Sequence, residues 1–224
     1  MPRVRDVATV EPVAGVLLDL LMAVMNSLEV WSAAAGGRGR GLAWRDAVTA
    51  RMIAAPLYVP YEDLVRTAAV DLGLPNAAVS DLFDRWPTMT PWPDAAVLSR
   101  LTVPYAFVTN CSAELATAAV DRSGLDPAFT LSAEEAGCYK PNARIYQLAC
   151  LRLGTTPART LFVAGAPYDG VGARNAGLNV AIVNRRPDRP MPPKIEIVES
   201  LAEIVTAFHR GRDSVDAPLP RGAE

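Results

Sequence analysis

Along the chain, short apolar runs alternate with stretches whose apolar positions recur at helical spacing. Residues 13–18 form a continuous apolar run closed by Asp19, the pattern of a parallel strand buried on both faces. Residues 20–35 continue apolar and predict a helix, and the glycines of 36–41 predict a flexible break. Residues 42–55, 61–73 and 76–86 carry helical spacing, with Pro56 and Pro60 between the first two and Pro87, Pro91 and Pro93 marking a return. Strand and helix then alternate: strand 105–108, helix 112–123 ending at Gly124, short strand 129–131, helix 142–153 stopped by Gly154, and strand 160–163. A glycine-rich turn and a helix through Ala176 follow, then 179–183 as the last strand and 197–209 as a closing helix.

This order predicts an α/β fold with a parallel sheet covered by helices on both faces. The expected division is a core of residues 13–35 and 91–210, a small helical cap at 36–90 inserted after the first strand, and flexible termini at 1–12 and 211–224. A chain of 224 residues has room for this. Ligands of such sheets bind at the carboxyl ends of the strands.

Composition narrows the function. There are 22 basic and 24 acidic residues, a net charge of -2, which argues against a surface for nucleic-acid phosphates. Half the residues are hydrophobic, yet no run of about 18 lacks a charge or breaker, so no membrane span is expected. The N-terminal segment is mixed in charge and has no signal-peptide pattern. Cys111, Cys138 and Cys150 are widely spaced, fit neither a disulfide framework nor a zinc pattern, and point to a reducing cytoplasm. The single histidine, His209, leaves little room for Ser-His-Asp or Cys-His chemistry. Lys140 and Lys194 are the only lysines among the basic residues. The glycines around residues 165–172 lack the spacing of a dinucleotide fingerprint.

Four polar sites fall at or near strand ends: Asp19, Thr109-Asn110, Lys140 and Asp169. Singly, each has an ordinary structural reading. An Asp after a strand caps helices, Thr-Asn makes turns, and a lysine before proline is a solvated loop residue. Arg185, Arg186 and Arg189, among prolines, are expected to be a solvated loop, and Cys111 a packed thiol.

Taken in order, the four resemble the motifs of the haloacid dehalogenase superfamily, most closely its metal-independent (S)-2-haloacid dehalogenases. The first is VLLDLLMAVMNSL, the second YAFVTNCS, the third GCYKPNARIYQLA and the fourth LFVAGAPYDGVGARNAGL; the insertion carries AWRDAVTARM. The resemblance covers about residues 13–205 and implies a three-layer Rossmann-like core with a small helical cap. It implies Asp19 as nucleophile forming an aspartyl ester. It also implies Lys140 as the cation stabilising that carboxylate and Asp169 as the group orienting Lys140 and water. Thr109 and Asn110 would hold substrate and nucleophile oxygens, and Arg45 would receive the departing anion.

The chain departs from this pattern in a consistent direction. Met22 and Ala23 stand where the family has Gly-Thr, and Ala164 and Ala166 stand where it has Ser and Asn that place hydrolytic water. The phosphatases of the superfamily need an acid where Leu21 stands and an acidic pair where Ala164 and Gly165 stand, so no magnesium site and no cofactor is expected. The expected activity is displacement of an anionic leaving group from carbon of a small carboxylate-bearing substrate, with 2-haloacid dehalogenase the nearest named activity. Two alternatives stay open: an elimination or ring closure that needs no water, or a catalytically degenerate subunit of a heteromeric complex. Residues 20–30 would then form an interface rather than core. The expected partners are a small-molecule substrate and either a second copy or a different subunit, with no nucleic acid and no membrane.

Overall fold

The computed structural model describes residues 12–215. Apart from Pro12, the expected N-terminal arm lies outside the described residues, as do residues 216–224. Six parallel strands form one sheet: β1 (Gly15–Asp19), β2 (Tyr105–Thr109), β3 (Thr130–Ser132), β4 (Thr160–Ala164), β5 (Asn179–Val183) and β6 (Glu196–Val198), in the order β3-β2-β1-β4-β5-β6. Neighbours stay in tight register, with Leu18 opposite Phe107 on one side and Val163 on the other. The side-chain period of two divides the core. Val16 and Leu18 pack on one face with the inserted helices, while Leu17 packs on the other with Ile145 and Tyr146.

Between β1 and β2 lie α1 (Ser27–Ala34), α2 (Arg38–Ala54), α3 (Tyr61–Asp71) and α4 (Asn76–Arg85). Their shared core is aromatic. Trp31 and Trp44 meet edge to face at 4.9 Å, and the Trp44 indole N–H donates to the Val65 carbonyl at 2.9 Å, so the buried Trp44 ring keeps its donor satisfied. The remaining helices are α5 (Ala113–Ser123), α6 (Ala133–Ala136), α7 (Ala143–Leu153), α8 (Pro167–Asn175) and α9 (Leu201–Val215). Several ends follow from side-chain chemistry. Ser112 and Asn142 accept backbone N–H bonds as N-caps of α5 and α7, and Gly124 and Gly154 close those helices with positive φ.

Four expectations are corrected. Residues 20–35 are two elements: a π-helical turn, Leu20–Val24, and α1, separated where Met25 bridges to Pro91. The glycines of 36–41 do not all break the chain. Only Gly36 and Gly37 adopt positive φ, while α2 begins at Arg38 and runs through Gly41, whose missing Cβ lets it lie against the Trp31–Ser32 backbone. Residue 197 belongs to a sixth strand rather than the closing helix, and α9 continues to Val215, past the expected helix end. The arginines after β5 are not solvated. Arg185 bonds Asp94 at 2.7 Å and the Ala23 carbonyl at 2.8 Å, Arg186 is buried, and Arg189 pairs with Asp46 of α2. Residues 20–25 are buried core, as the apolar pattern allows.

The strand order places the chain reversal between β1 and β4, because β1 is followed on one side by β2 and on the other by β4. That is the crevice where open parallel sheets present ligand sites. No helix among the described residues is long and apolar enough to cross a membrane.

Candidate functional site

Asp19 is the last residue of β1, so its side chain leaves the sheet at the crevice. One carboxylate oxygen, Oδ2, accepts the Met22 N–H at 3.2 Å, and Asp19 therefore does cap the turn that follows. The other, Oδ1, accepts from Lys140 Nζ at 2.8 Å. A capping reading and a chemical reading of Asp19 are thus both realised, one on each oxygen.

Lys140 is not a loop lysine in water; its exposure is 0%. Nζ has three hydrogen-bond acceptors: Asp19 Oδ1, Asp169 Oδ2 at 2.7 Å and the Val108 carbonyl at 3.0 Å. An ammonium has three donors, so the group is fully satisfied. Its position comes from Asn110, whose Oδ1 accepts the Lys140 N–H at 2.7 Å and whose Nδ2 donates to the Lys140 carbonyl at 3.0 Å. Burial opposes the charge on Lys140, but the carboxylates of Asp169 and Asp19 outweigh it and hold the ammonium above the usual lysine range.

Asp169 lies in the first turn of α8. Besides Lys140, it accepts the Tyr146 hydroxyl on Oδ1 at 2.6 Å. Burial pushes its carboxyl up to about 6; Lys140 pulls it down and Asp19 adds to the rise. The result is a buried line from the Tyr146 hydroxyl through Asp169 and Lys140 to Asp19, with every link at 2.8 Å or less.

The structure brings together Asp19, Lys140, Asp169 and Asn110. Arg45, on α2, lines the same small cavity as Asp19, Asn110 and Tyr168, across from the strand ends. Thr109 does not join them through its hydroxyl, which pairs with Cys111 Sγ at 3.4 Å inside the core. Asn110 departs from its expected task in part: it faces the cavity, but both ends of its amide hold the Lys140 backbone rather than nucleophile oxygens. Burial pushes the Cys111 thiol up to about 12, which leaves it a packed, protonated group, as expected.

Sequence reasoning passed over Tyr146, Tyr61 and Tyr168. Tyr146 lies six residues after Lys140 on α7, and its position behind Asp169 depends on how α7 and α8 pack. Tyr61 begins α3 and lines the cavity with Tyr168. The cavity is about 30 Å3. One water needs roughly 10–15 Å3 of such space, so the room is for a very small group. Among the described residues no cluster of three or more His, Cys, Asp or Glu is placed to hold a metal ion. Between the two acidic side chains, where a cation would bind, lies the Lys140 ammonium.

The profile of the haloacid dehalogenase-like hydrolase family matches residues 13–177. The chain is 31% identical over 208 residues to (S)-2-haloacid dehalogenase 4A of Burkholderia cepacia, covering 85% of this chain and 89% of that one. It is 28% identical over 210 residues to (S)-2-haloacid dehalogenase 1 of Pseudomonas sp. (strain CBS-3), covering 85% and 91%. Among solved structures, the fold matches a dehalogenase with an intermediate complex at a TM-score of 0.78 and 24% identity, covering 89% of this chain and 98% of that one. It also matches the L-2-haloacid dehalogenase of Xanthobacter autotrophicus at a TM-score of 0.73 and 23% identity, covering 88% and 98%. The chain belongs to the haloacid dehalogenase-like hydrolase family.

Proposed function

We propose that this protein displaces an anionic leaving group from a carbon atom of a small, carboxylate-bearing molecule, with hydrolytic 2-haloacid dehalogenation the nearest named activity. The observation that carries this reading is the fully buried Lys140 ammonium bridging Asp169 to Asp19, which lines a cavity together with Arg45. Lys140 holds Oδ1 of Asp19, and Oδ2, bound only by the longer Met22 contact, is the freer oxygen. In this reading Oδ2 forms a bond to the substrate carbon while the carbon–leaving group bond breaks, and the departing anion moves toward the Arg45 guanidinium. The product is an aspartyl ester, and water attacking its carbonyl carbon releases the hydroxy acid and restores Asp19. No metal takes part in this scheme.

A second reading is supported by one feature of β4. Ala164 and Ala166 flank the strand end beside Asp19, and neither side chain can hold a water. With no water placed there, the anion can leave through attack by an amine or hydroxyl of the substrate itself, or through loss of a proton, with Asp19 as base. Single turnover of 2-halo acids in oxygen-18 water separates the two. Heavy oxygen in the Asp19 peptide, with halide released, supports the ester. Halide release without label supports the second reading. A lack of halide release across a panel of 2-halo acids sinks the nearest named activity.

A further inference from the structure

We infer that Trp92 and Arg185 are positioning residues for Asp19: they grip the turn after β1 by three successive carbonyls and so fix the Met22 N–H on Asp19 Oδ2. This rests on Asp19 being the reacting carboxylate of the proposed function.

The π-helical turn Leu20–Val24 closes on itself through one bond, from the Met25 N–H to the Leu20 carbonyl at 2.8 Å. So short an element leaves its later carbonyls without helical partners. Three of them are taken from outside the turn. The Trp92 indole N–H donates to the Met22 carbonyl at 2.9 Å. The Arg185 guanidinium donates to the Ala23 carbonyl at 2.8 and 3.3 Å. The Trp92 backbone N–H donates to the Val24 carbonyl at 2.9 Å. Pro91 and Pro93 flank Trp92 and have no N–H of their own, so Trp92 carries the backbone donor of that segment. The two gripping side chains also hold each other. The guanidinium lies 5.0 Å from the Trp92 ring, and Asp94, two residues on, anchors it at 2.7 and 3.0 Å.

Satisfying buried carbonyls is by itself a matter of stability, since Met22, Ala23 and Val24 are all buried. What ties the grip to the reaction is the other side of the same turn. The Met22 N–H reaches Asp19 Oδ2 at 3.2 Å, the long end of the range, so a shift of a few tenths of an ångström releases it. Oδ2 is the oxygen that the proposed function assigns to the new bond, and its approach to the substrate carbon depends on how the carboxylate is held. Neither Trp92 nor Arg185 is among the residues lining the cavity, so both act through the turn and not on the substrate. A matched bond elsewhere serves as the comparison: the Trp86 indole N–H donates to the Leu115 carbonyl, also at 2.9 Å, joining α5 to the inserted helices.

Amide NMR of the intact protein reads the Met22 N–H without any substrate, and Asp19→Asn shows how its resonance moves when the carboxylate is lost. Trp92→Phe keeps a ring beside Arg185 and the backbone N–H but removes the bond to Met22. Arg185→Lys keeps a charge beside Asp94 but has no planar fork to span both acceptors. Trp86→Phe removes the matched bond, and thermal melting checks that all three variants fold. In Trp92→Phe and Arg185→Lys the Met22 amide is expected to move in the direction seen for Asp19→Asn and to exchange with solvent about tenfold faster, while Trp86→Phe leaves it unmoved. With a 2-halo acid as substrate, kcat should fall about tenfold in the first two at nearly constant KM, and stay at the wild-type value in Trp86→Phe. An unmoved Met22 amide in the folded Trp92 and Arg185 variants overturns the inference. So does an equal effect of Trp86→Phe, or an unchanged kcat where the amide has moved. Wild-type protein that releases no halide sinks the dehalogenase reading, while a Met22 amide that responds as expected still supports the grip.

Discussion

Tyr146 shows how much one hydroxyl carries at the residue scale. It bonds the oxygen of Asp169 that Lys140 does not, and so helps keep a buried carboxyl ionised. Tyr146→Phe is expected to cost about 1.5–3 kcal/mol, the usual worth of a hydrogen bond to a charged group. It should also raise the Asp169 carboxyl further, moving the acid limb of any activity profile to higher pH. Melting and a pH–rate series check the two effects separately. The native Asp169 carboxyl, raised from 3.8 to about 6, binds protons more tightly than in the unfolded chain. Between those values the folded state carries more protons, so the stability this group contributes falls as pH rises through the window. Denaturant melts of wild type and Asp169→Asn between pH 4 and 6 should show that slope only in the wild type. Lys140 is likewise raised above its solvent value, so its stabilisation is fully present below about 10.5 and is lost only on the far alkaline side. Asp19→Asn leaves Lys140 bonded to Asp169, so the protein should remain folded, with turnover reduced at least about 10,000-fold if Asp19 is the nucleophile. Retained turnover would remove Asp19 from the reaction.

At the scale of elements, the turn after β4 and the turn after β1 touch through glycine. A Cβ on Gly165 would lie 2.5 Å from the Ala23 nitrogen and from Met22 Cβ, and one of those atoms is backbone. The π-helical turn that presents the Met22 N–H to Asp19 therefore packs directly on the β4–α8 connection. Gly165→Ala is expected to cost about 1–3 kcal/mol through overpacking. Because the displaced turn carries an Asp19 hydrogen bond, turnover should fall more than substrate binding does. Steady-state kinetics beside a thermal melt measures both, and an unchanged Tm would refute the contact. Strand and helix identity along the core was readable from the apolar runs and their caps. The short strand Glu196–Val198 was not, because three residues after a proline-rich loop carry too little pattern to show a partner that only β5 provides.

For the whole molecule, Asp94 joins three distant parts of the chain. It accepts two bonds from Arg185, which also bonds the Ala23 carbonyl behind the Asp19 turn, and it accepts the Leu201 N–H at the start of α9. The Arg185 side chain is only 8% exposed and lies 5.0 Å from the Trp92 ring. Asp94→Ala strands that guanidinium and is expected to cost about 3 kcal/mol, near the lower end for breaking a buried pair. In a chain of this size that lowers Tm by roughly 6–12 °C. The sequence suggested a solvated arginine loop here, since nothing local reveals that residues 94 and 185 meet.

The sequence by itself determined the alternation of strands and helices, the insertion after the first strand, and the family motifs around Asp19, Lys140 and Asp169. Those features are local: period, caps and short motifs need no distant partner to be recognised. Tertiary structure decided the rest. It brought Lys140 121 residues back to Asp19, turned Asn110 toward the Lys140 backbone, drew Thr109 into the core beside Cys111, and set Tyr61, Tyr168 and Arg45 around one cavity. Such placements depend on how helices pack over the β1–β4 crevice. Packing is a sum of weak contacts between residues far apart in the chain, and no local pattern records it.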